Sequence, residues 1–176
     1  MTKDREVAAE GPKRALITGI VEVRRHIIEM ARRLPVEAQA EIFLGTWDVK
    51  DLLAHMIGWD EANRQAIDEI LEGSLPSFYE QAGGGWSSYN AILVQRHRKE
   101  NLVELLQDLE ESQRSLLRRL DAVEAQELDR DRGIRYKGWK VTITRLLKAE
   151  LHDEQEHLSQ LQAFAGRAGP PPEPGR

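Results

Sequence analysis

Apolar residues recur at helical spacing in four long segments of the chain, and polar residues separate these segments. An α-helix turns about 100° per residue, so residues three or four positions apart share one face. The predicted helices cover residues 12–34, 48–72, 87–120 and, from a start between 140 and 142, residues up to 165. Pro12 suits a first helical turn, and Pro35 ends the first helix.

The start of the second helix carries the clearest local signal in the chain. Asp48 is a favourable N-cap residue, and Asp51 follows three positions later, as in a capping box. Trp47 and Leu52 are spaced to form a hydrophobic staple across this first turn. The spacing therefore predicts a helix that begins directly after Asp48.

A connection of about 14 residues, 73–86, separates the second and third predicted helices; fully extended, it reaches roughly 46 Å. The preceding helix is roughly 37 Å long, so the connection can cross the bundle and make the two helices parallel. We therefore expect an all-α four-helix bundle of up-down-down-up order. We also expect a flexible leader (1–11), the bundle (12–165) and a disordered Pro/Gly tail (166–176), with no convincing strand pattern.

Composition narrows the class of protein. The net charge of −5 does not favour a nucleic-acid partner, and the absence of cysteine excludes disulfides and thiolate ligands. The N-terminal stretch has no apolar core, and no apolar run approaches the roughly 18 residues of a membrane span. A cytoplasmic protein without a membrane partner is the expectation.

The fourth predicted helix has polar residues in the middle of its apolar stripe. Glu150, Asp153, Glu154 and His157 fall on the same face as the apolar residues Ile143, Leu146, Leu147, Leu161 and Phe164. Buried carboxylates are costly unless they are paired, protonated or bound to a metal. The pattern predicts a buried polar site in this helix.

A histidine of the second helix is expected at the same level along the bundle axis as these polar residues of the fourth helix. His55 lies about two turns into its helix and His157 about two turns before the end of its own, so antiparallel packing brings them together. Asp153 and His157 are four residues apart and address one point. With His55 they form a set of two histidines and one carboxylate, which suits Zn, Ni, Fe or Mn. Glu150 or Glu154 is then a fourth ligand, an orienting group or a general base.

Two residues of the third predicted helix, Gln95 and Arg98, are expected at this height as well. An alternative without a metal is a hydrogen-bond network in which Arg98 pairs with the carboxylates. His152 diverges from His157 by about 140° on the helical wheel and is set aside. His26 and His97 are predicted at the surface, as are the arginine pairs of the first helix, Arg24, Arg25, Arg32 and Arg33.

Several segments of the chain resemble a known superfamily. Residues 45–59, GTWDVKDLLAHMIGW, resemble the second-helix signature of the DinB/YfiT-like superfamily. Three further segments are similar to its ClbS/DfsB branch: Gly85-Trp86 with Tyr89-Asn90, Arg96-His97-Arg98, and residues 157–161. The resemblance spans nearly the whole chain from the first helix to Phe164.

The resemblance implies an up-down-down-up four-helix bundle, a divalent metal and, in many members, a homodimer. His55 and His157 match metal-binding positions of the superfamily. A second fourth-helix histidine of the pattern is replaced here by Asp153, and His152 is one residue out of register. Relatives include thiol-dependent transferases and isomerases.

Our first hypothesis is an enzyme in which His55, Asp153 and His157 hold nickel, zinc or manganese. Water or a low-molecular-weight thiol then attacks a small electrophilic molecule. Glu150 and Glu154 are the predicted proton-transfer residues, and the predicted substrate-binding residues are Trp86, Tyr89, Asn90, Gln95 and Arg98. The second hypothesis is a metal-free protein that binds or sequesters a small molecule. The third is a structural dimer module.

Overall fold

The structure, a computed structural model, describes the backbone of residues 2–168 and the side chains of residues 10–167. It is mostly helical, which confirms the all-α class. The helices are α1 (Thr2–Arg33), α2 (Val49–Leu71), α3 (Phe78–Gln81), α4 (Trp86–His97), α5 (Leu102–Asp121), α6 (Ala125–Leu128) and α7 (Ile143–Ala168). A two-stranded antiparallel hairpin joins β1 (Arg135–Tyr136) to β2 (Trp139–Lys140), and short 3-10 turns cover Glu37–Ala40 and Ala82–Gly84.

Side-chain pairs between the long helices show their relative directions. Asp60 and Asp68 of α2 pair with Ser112 and Arg119 of α5, in the same order along both helices, so α2 and α5 are parallel. The bonds that His55 and Asn63 of α2 make to Asp153 and Glu150 of α7 have the opposite order. Helices α2 and α7 are therefore antiparallel.

The first helix completes the arrangement. Gly19 and Arg24 of α1 meet Leu151 and Glu154 of α7 in the same order along both helices. Helix α1 is therefore parallel to α7.

The hydrophobic core is divided into two clusters by a layer of buried polar side chains. One cluster contains Ile20, Ile67, Ile70, Leu116, Leu120, Ile143 and Leu147, and the other contains Ile27, Leu52, Leu53, Leu105, Leu109, Leu161 and Phe164. Each cluster takes residues from α1, α2, α5 and α7, so the four helices share one core. The predicted interruption of the fourth-helix stripe coincides with the layer between the clusters.

The capping box predicted for the second helix is present. The side chain of Asp48 accepts hydrogen bonds from the backbone N–H groups of Lys50 and Asp51, at 2.8 and 3.0 Å, and the Asp51 side chain accepts one from the Asp48 backbone N–H. Helix α2 begins at Val49, as predicted, because these bonds satisfy N–H groups that lack partners within the helix.

The third predicted helix is not continuous, contrary to the expectation for residues 87–120. Arg98 leaves the helical conformation at ψ 133°, and the chain resumes as α5 after Asn101. The Asn101 side chain accepts hydrogen bonds from the backbone N–H groups of Val103 and Glu104. An asparagine that caps a new helix competes with continuation of the old one, and periodicity alone does not reveal this competition.

Two segments outside the four predicted helices contain short elements. The connection 73–86 includes α3 and a 3-10 turn, and the region 121–138 includes α6 and part of the hairpin, so the absence of strands was a wrong expectation. Lys137 and Gly138 form the hairpin turn with φ of 48° and 84°, as a two-residue type I′ turn requires.

The ends of the chain also differ from the expectation. Helix α1 begins at Thr2, upstream of the predicted start at Pro12, and α7 continues to Ala168, into the predicted tail. Residues 169–176 of that tail lie outside the described residues. Among the described helices, none combines the length and the apolar character needed to cross a lipid bilayer.

Candidate metal centre and pocket

His55, Asp153 and His157 meet between α2 and α7. The Oδ2 atom of Asp153 lies 3.5 Å from Nε2 of His55 and 3.3 Å from Nε2 of His157. The two imidazole rings are 5.3 Å apart between centroids and nearly perpendicular. One ligand atom from each residue lies within 4.8 Å of the other two, so the three side chains can address a common point.

The two helices place these residues by simple register. Asp153 and His157 are one helical turn apart on α7, and His55 comes from the antiparallel α2. The histidines are buried, whereas the Asp153 side chain is 52% exposed. Asp153 therefore lies at the rim of the site. The helical wheel had predicted a position fully inside the bundle.

The charges in this group depend on one another. Burial opposes ionisation of Asp153, but the close approach of the His157 and His55 imidazoles outweighs it and holds the pKa of that carboxyl well below its usual range. Burial also opposes protonation of His157, yet Asp153 and Gln160 raise its pKa overall. Burial lowers the pKa of His55. The group thus combines one anionic carboxylate with two imidazoles of different basicity.

These residues fit a divalent metal ion. Nε2 of His157, which faces Asp153, is buried and has no hydrogen-bond partner among the described residues. Unpartnered buried polar atoms are uncommon, and neutral imidazole nitrogens with a carboxylate oxygen are ordinary ligands of zinc and nickel. His55, Asp153 and His157 are therefore the residues that could hold such an ion.

A second buried group surrounds Arg24 of α1. Its guanidinium donates to both oxygens of Asp60, at 2.9 and 3.0 Å, and to Glu154 through Nε at 3.2 Å and through a second, shorter contact. Glu150 lies farther away, 3.9 Å from the guanidinium, and accepts a hydrogen bond from the Asn63 amide. One arginine thus faces three carboxylates, and it is closely bound to only two of them.

This arrangement favours a proton on Glu150. Burial, together with the negative charges of Asp60 and Glu154, raises the pKa of Glu150 well above its usual value. Burial also raises the pKa of Glu154, although the contact with Arg24 opposes that effect. Glu150 lines the pocket described below, so a carboxyl group with a raised pKa faces the space beside Asp153.

Arg24 is a residue that the sequence interpretation missed, because we expected it on a solvated face. It is fully buried. A usable signal was present, since Arg24 follows Ile20 by four positions and precedes Ile28 by four, so it shares their face. A charged residue on an apolar face predicts a buried partner of opposite charge.

A pocket of about 360 Å³ opens beside His55 and Asp153. Aromatic side chains form one wall: Trp59, Phe78, Tyr79 and Trp86. The polar lining consists of His55, Asn63, Asn90, Thr142, Glu150 and Asp153, and the basic lining consists of Lys140 and Arg145. Both basic residues are solvent-accessible, which places positive charge near the opening.

The predicted substrate-binding residues divide into two groups. Trp86 and Asn90 line the pocket, and Asn90 accepts a hydrogen bond of 3.1 Å from the indole N–H of Trp59. Tyr89 is buried and packs edge-to-face against Trp59, with ring centroids 5.5 Å apart. Tyr89 supports the aromatic wall without lining the pocket itself.

Gln95 and Arg98 are not at the site. Gln95 is exposed, and Arg98 binds Asp48, at 3.0 Å, and Asp51 at the start of α2. The expected pairing of Arg98 with Glu150 or Glu154 was wrong, because the helix ends at His97 and Arg98 reaches the capping box instead. Arg24 provides the buried guanidinium that we had assigned to Arg98.

The fold and the site define an all-helical protein with two histidines and a carboxylate beside a pocket that has an aromatic wall. Residues 22–154 match the family described as the mycothiol maleylpyruvate isomerase N-terminal domain, and the chain therefore belongs to this family. The family is part of the DinB/YfiT-like superfamily, whose members typically bind a divalent metal.

One solved structure with the same fold is an uncharacterised protein from Escherichia coli UTI89. It has 17% sequence identity and a TM-score of 0.70, and the alignment covers 88% of this chain and 93% of that protein. Among curated protein sequences, none matches this chain significantly. The structural likeness therefore supports the fold and carries no information about activity.

Proposed function

We propose that the protein is a metal-dependent enzyme of the DinB-like type that acts on a small electrophilic molecule. The observation that carries this proposal is the convergence of His55, Asp153 and His157 on one point at the edge of the pocket. Family membership supports it, since members of the superfamily typically bind a divalent metal.

His55, Asp153 and His157 hold the ion in this proposal. When bound, a divalent ion supplies Lewis-acid polarisation and favours the deprotonated form of a nucleophile. Glu150 lines the pocket and its burial raises its pKa, so we assign it the role of a general acid. Glu154 is bound to Arg24, so we assign it a positioning role in place of the proton transfer that the sequence suggested.

The pocket lining supports a substrate with an apolar body. Trp59, Phe78 and Trp86 offer ring faces and edges for such a body, and Asn90 is fixed beside them by its bond to Trp59. Arg145 forms no ion pair among the described residues, so its charge is free to attract an anionic group at the opening. We assign to Asn63 and Arg145 the substrate-binding roles that the sequence analysis gave to Gln95 and Arg98.

The nucleophile is water or a low-molecular-weight thiol, corresponding to a hydrolase or a thiol transferase. The family description names mycothiol and maleylpyruvate, which favours the thiol for this chain. The chain has no cysteine, so the thiol must come from a bound small molecule.

We also propose the up-down-down-up four-helix bundle order. Its support is that α1 is parallel to α7, α2 is parallel to α5, and α2 is antiparallel to α7. The closer relation to the ClbS/DfsB branch, the homodimer and the cytoplasmic location stay predictions.

Metal analysis of protein purified without a histidine tag tests the proposal. We expect close to one equivalent of nickel, zinc or manganese per chain, and we expect His157→Ala to abolish it. His152→Ala is the matched control, because His152 lies on the same helix with its side chain 74% exposed and outside the three-residue group. Folded protein that stays metal-free after addition of each ion, or equal losses in both variants, would overturn the proposal.

The metal-free sequestering protein is the second candidate. Its expected sign was Arg98 paired with Glu150 or Glu154, but Arg98 binds Asp48 and Asp51, and it is Arg24 that pairs with Glu154. Among the described residues, no lysine or arginine forms an ion pair with His55, Asp153 or His157, which favours the metal-dependent candidate. Ligand binding that is unaffected by a chelator would decide for sequestration.

A further inference from the structure

The two histidines of the candidate centre are supported differently. Nδ1 of His157 lies 2.8 Å from Oε1 of Gln160, one turn farther along α7, and Nε2 of His157 faces Asp153 without a hydrogen-bond partner. His55 has no such support, because its Nδ1 is buried and has no partner among the described residues. Among the described residues, His157 therefore has a hydrogen-bond partner on the ring nitrogen that faces away from Asp153, and His55 has none.

An amide oxygen can only accept a hydrogen bond, so a bond to Oε1 requires the proton to be on Nδ1 of the neutral ring. The Nε2 lone pair then points toward Asp153 and His55. The opposite amide orientation would donate to Nδ1 and leave the proton on Nε2, where it would block ligation. The orientation of this amide thus determines whether His157 is ready to bind a metal.

We propose that Gln160 is a positioning residue that fixes His157 in the tautomer and ring orientation needed for metal binding. This inference rests on the metal centre proposed above. The position of Gln160 supports it, because one helical turn places the amide behind the ring without contact with the ion. Groups that orient ligating histidines in this way typically change metal affinity about 10- to 100-fold when they are removed.

Three variants test the role of Gln160. Gln160→Met removes the acceptor at similar size, Gln160→Glu keeps an acceptor, and Gln162→Met is the control at an exposed position of the same helix. Each variant is first checked for native helicity and thermal unfolding. The untagged proteins are then stripped with a chelator.

The first measurement is the ¹⁵N NMR spectrum of the His157 imidazole in metal-free protein, at a pH where the ring is neutral. We expect the Nδ1–H form in the natural protein, in Gln160→Glu and in Gln162→Met, and a mixture of tautomers in Gln160→Met. An Nε2–H form in the natural protein, or an unchanged spectrum in Gln160→Met, would overturn the proposal.

The second measurement is the affinity for Zn²⁺ and Ni²⁺ by calorimetry. We expect Gln160→Met to bind about 10- to 100-fold more weakly than Gln162→Met, and Gln160→Glu to retain the natural affinity. Equal affinities in Gln160→Met and the natural protein would refute the role of Gln160 while leaving the metal centre intact. If no variant binds metal, the proposed function fails, and the NMR result still decides the state of His157.

Discussion

Arg24 places one positive charge among three carboxylates in the centre of the protein. Its side chain and that of Asp60 are fully buried, so solvent does not screen the pair. Removing one partner of a buried ion pair leaves an uncompensated charge, which typically costs 3–5 kcal/mol. The residue therefore matters more for stability than any ion pair at the surface.

We predict that Arg24→Met lowers the free energy of unfolding by about 3–5 kcal/mol. Arg25→Met is the control at the adjacent position, where an exposed pair with Glu29 is worth about 0.3–0.5 kcal/mol. Urea denaturation of both variants gives the comparison. Similar values for the two variants would show that the buried network does not stabilise the fold as described.

Helices α2 and α4 pack closely at Gly58, on the side that bears the aromatic wall. A Cβ atom at this position would lie 2.7 Å from Cβ of Leu93, an atom that cannot move without the α4 backbone. At Gly19 the nearest atom is the end of the Leu151 side chain, at 3.0 Å, which can rotate away. The two glycines therefore differ in their tolerance of a side chain.

We predict that Gly58→Ala destabilises the protein by about 1–3 kcal/mol, as overpacking does in a dense core. Gly19→Ala should lie within about 1 kcal/mol of the natural protein, because the better helix propensity of alanine offsets a small adjustment. Urea denaturation measures both effects. A neutral or stabilising Gly58→Ala would contradict the close packing of α2 and α4.

The charged groups at the start of α2 make the stability of the folded protein depend on pH. Burial disfavours the charged form of Asp48, but hydrogen bonds from Arg98 and from the Asp51 backbone outweigh this and lower the pKa of Asp48. A lowered pKa in the folded state contributes stability above the unfolded value of about 4. That contribution is lost as the pH falls through the folded pKa.

We predict that Asp48→Asn keeps the N-cap but loses about 1–3 kcal/mol at pH 7, because the charged bonds to Arg98 are gone. The difference from the natural protein should shrink as the pH is lowered below about 4. Glu111→Gln, which changes exposed ion pairs of α5, is the control with a smaller effect. A pH-independent difference would argue against the Asp48–Arg98 pair.

At the scale of the whole molecule, the candidate metal centre joins α2 to α7. A ligand that binds only the folded state adds stability, about 2.7 kcal/mol at a concentration 100 times its dissociation constant. The effect requires both helices, because each supplies at least one ligand. Metal binding and global unfolding are therefore expected to be coupled.

We predict that Zn²⁺ or Ni²⁺ at about 100 times its dissociation constant raises the free energy of unfolding of untagged protein by about 2.7 kcal/mol. EDTA should reverse the effect, and His55→Ala should abolish it. His26→Ala, at an exposed position of α1, should behave like the natural protein. An increase of equal size in His55→Ala would place the bound ion elsewhere.

Local patterns in the sequence were sufficient for the helices, for the capping box at Asp48 and for the polar interruption in α7. Each of these depends on residues within a few positions of one another. The break at Arg98, the hairpin at Lys137 and the burial of Arg24 were not predicted. The break depends on a competing helix cap, and the hairpin depends on a turn of two residues. Both features weaken the periodic pattern of apolar residues without removing it.

The sequence by itself determined the all-α class, the start of α2 and the face on which Glu150, Glu154 and His157 lie, because helical periodicity and capping are local. Only the tertiary structure decided which charges meet: Arg24 joins Asp60 and Glu154 across 36 and 130 residues, whereas Arg98 turns to the α2 cap. Partners so distant in sequence are brought together by packing, and the energy of a buried charge depends on the partner it meets.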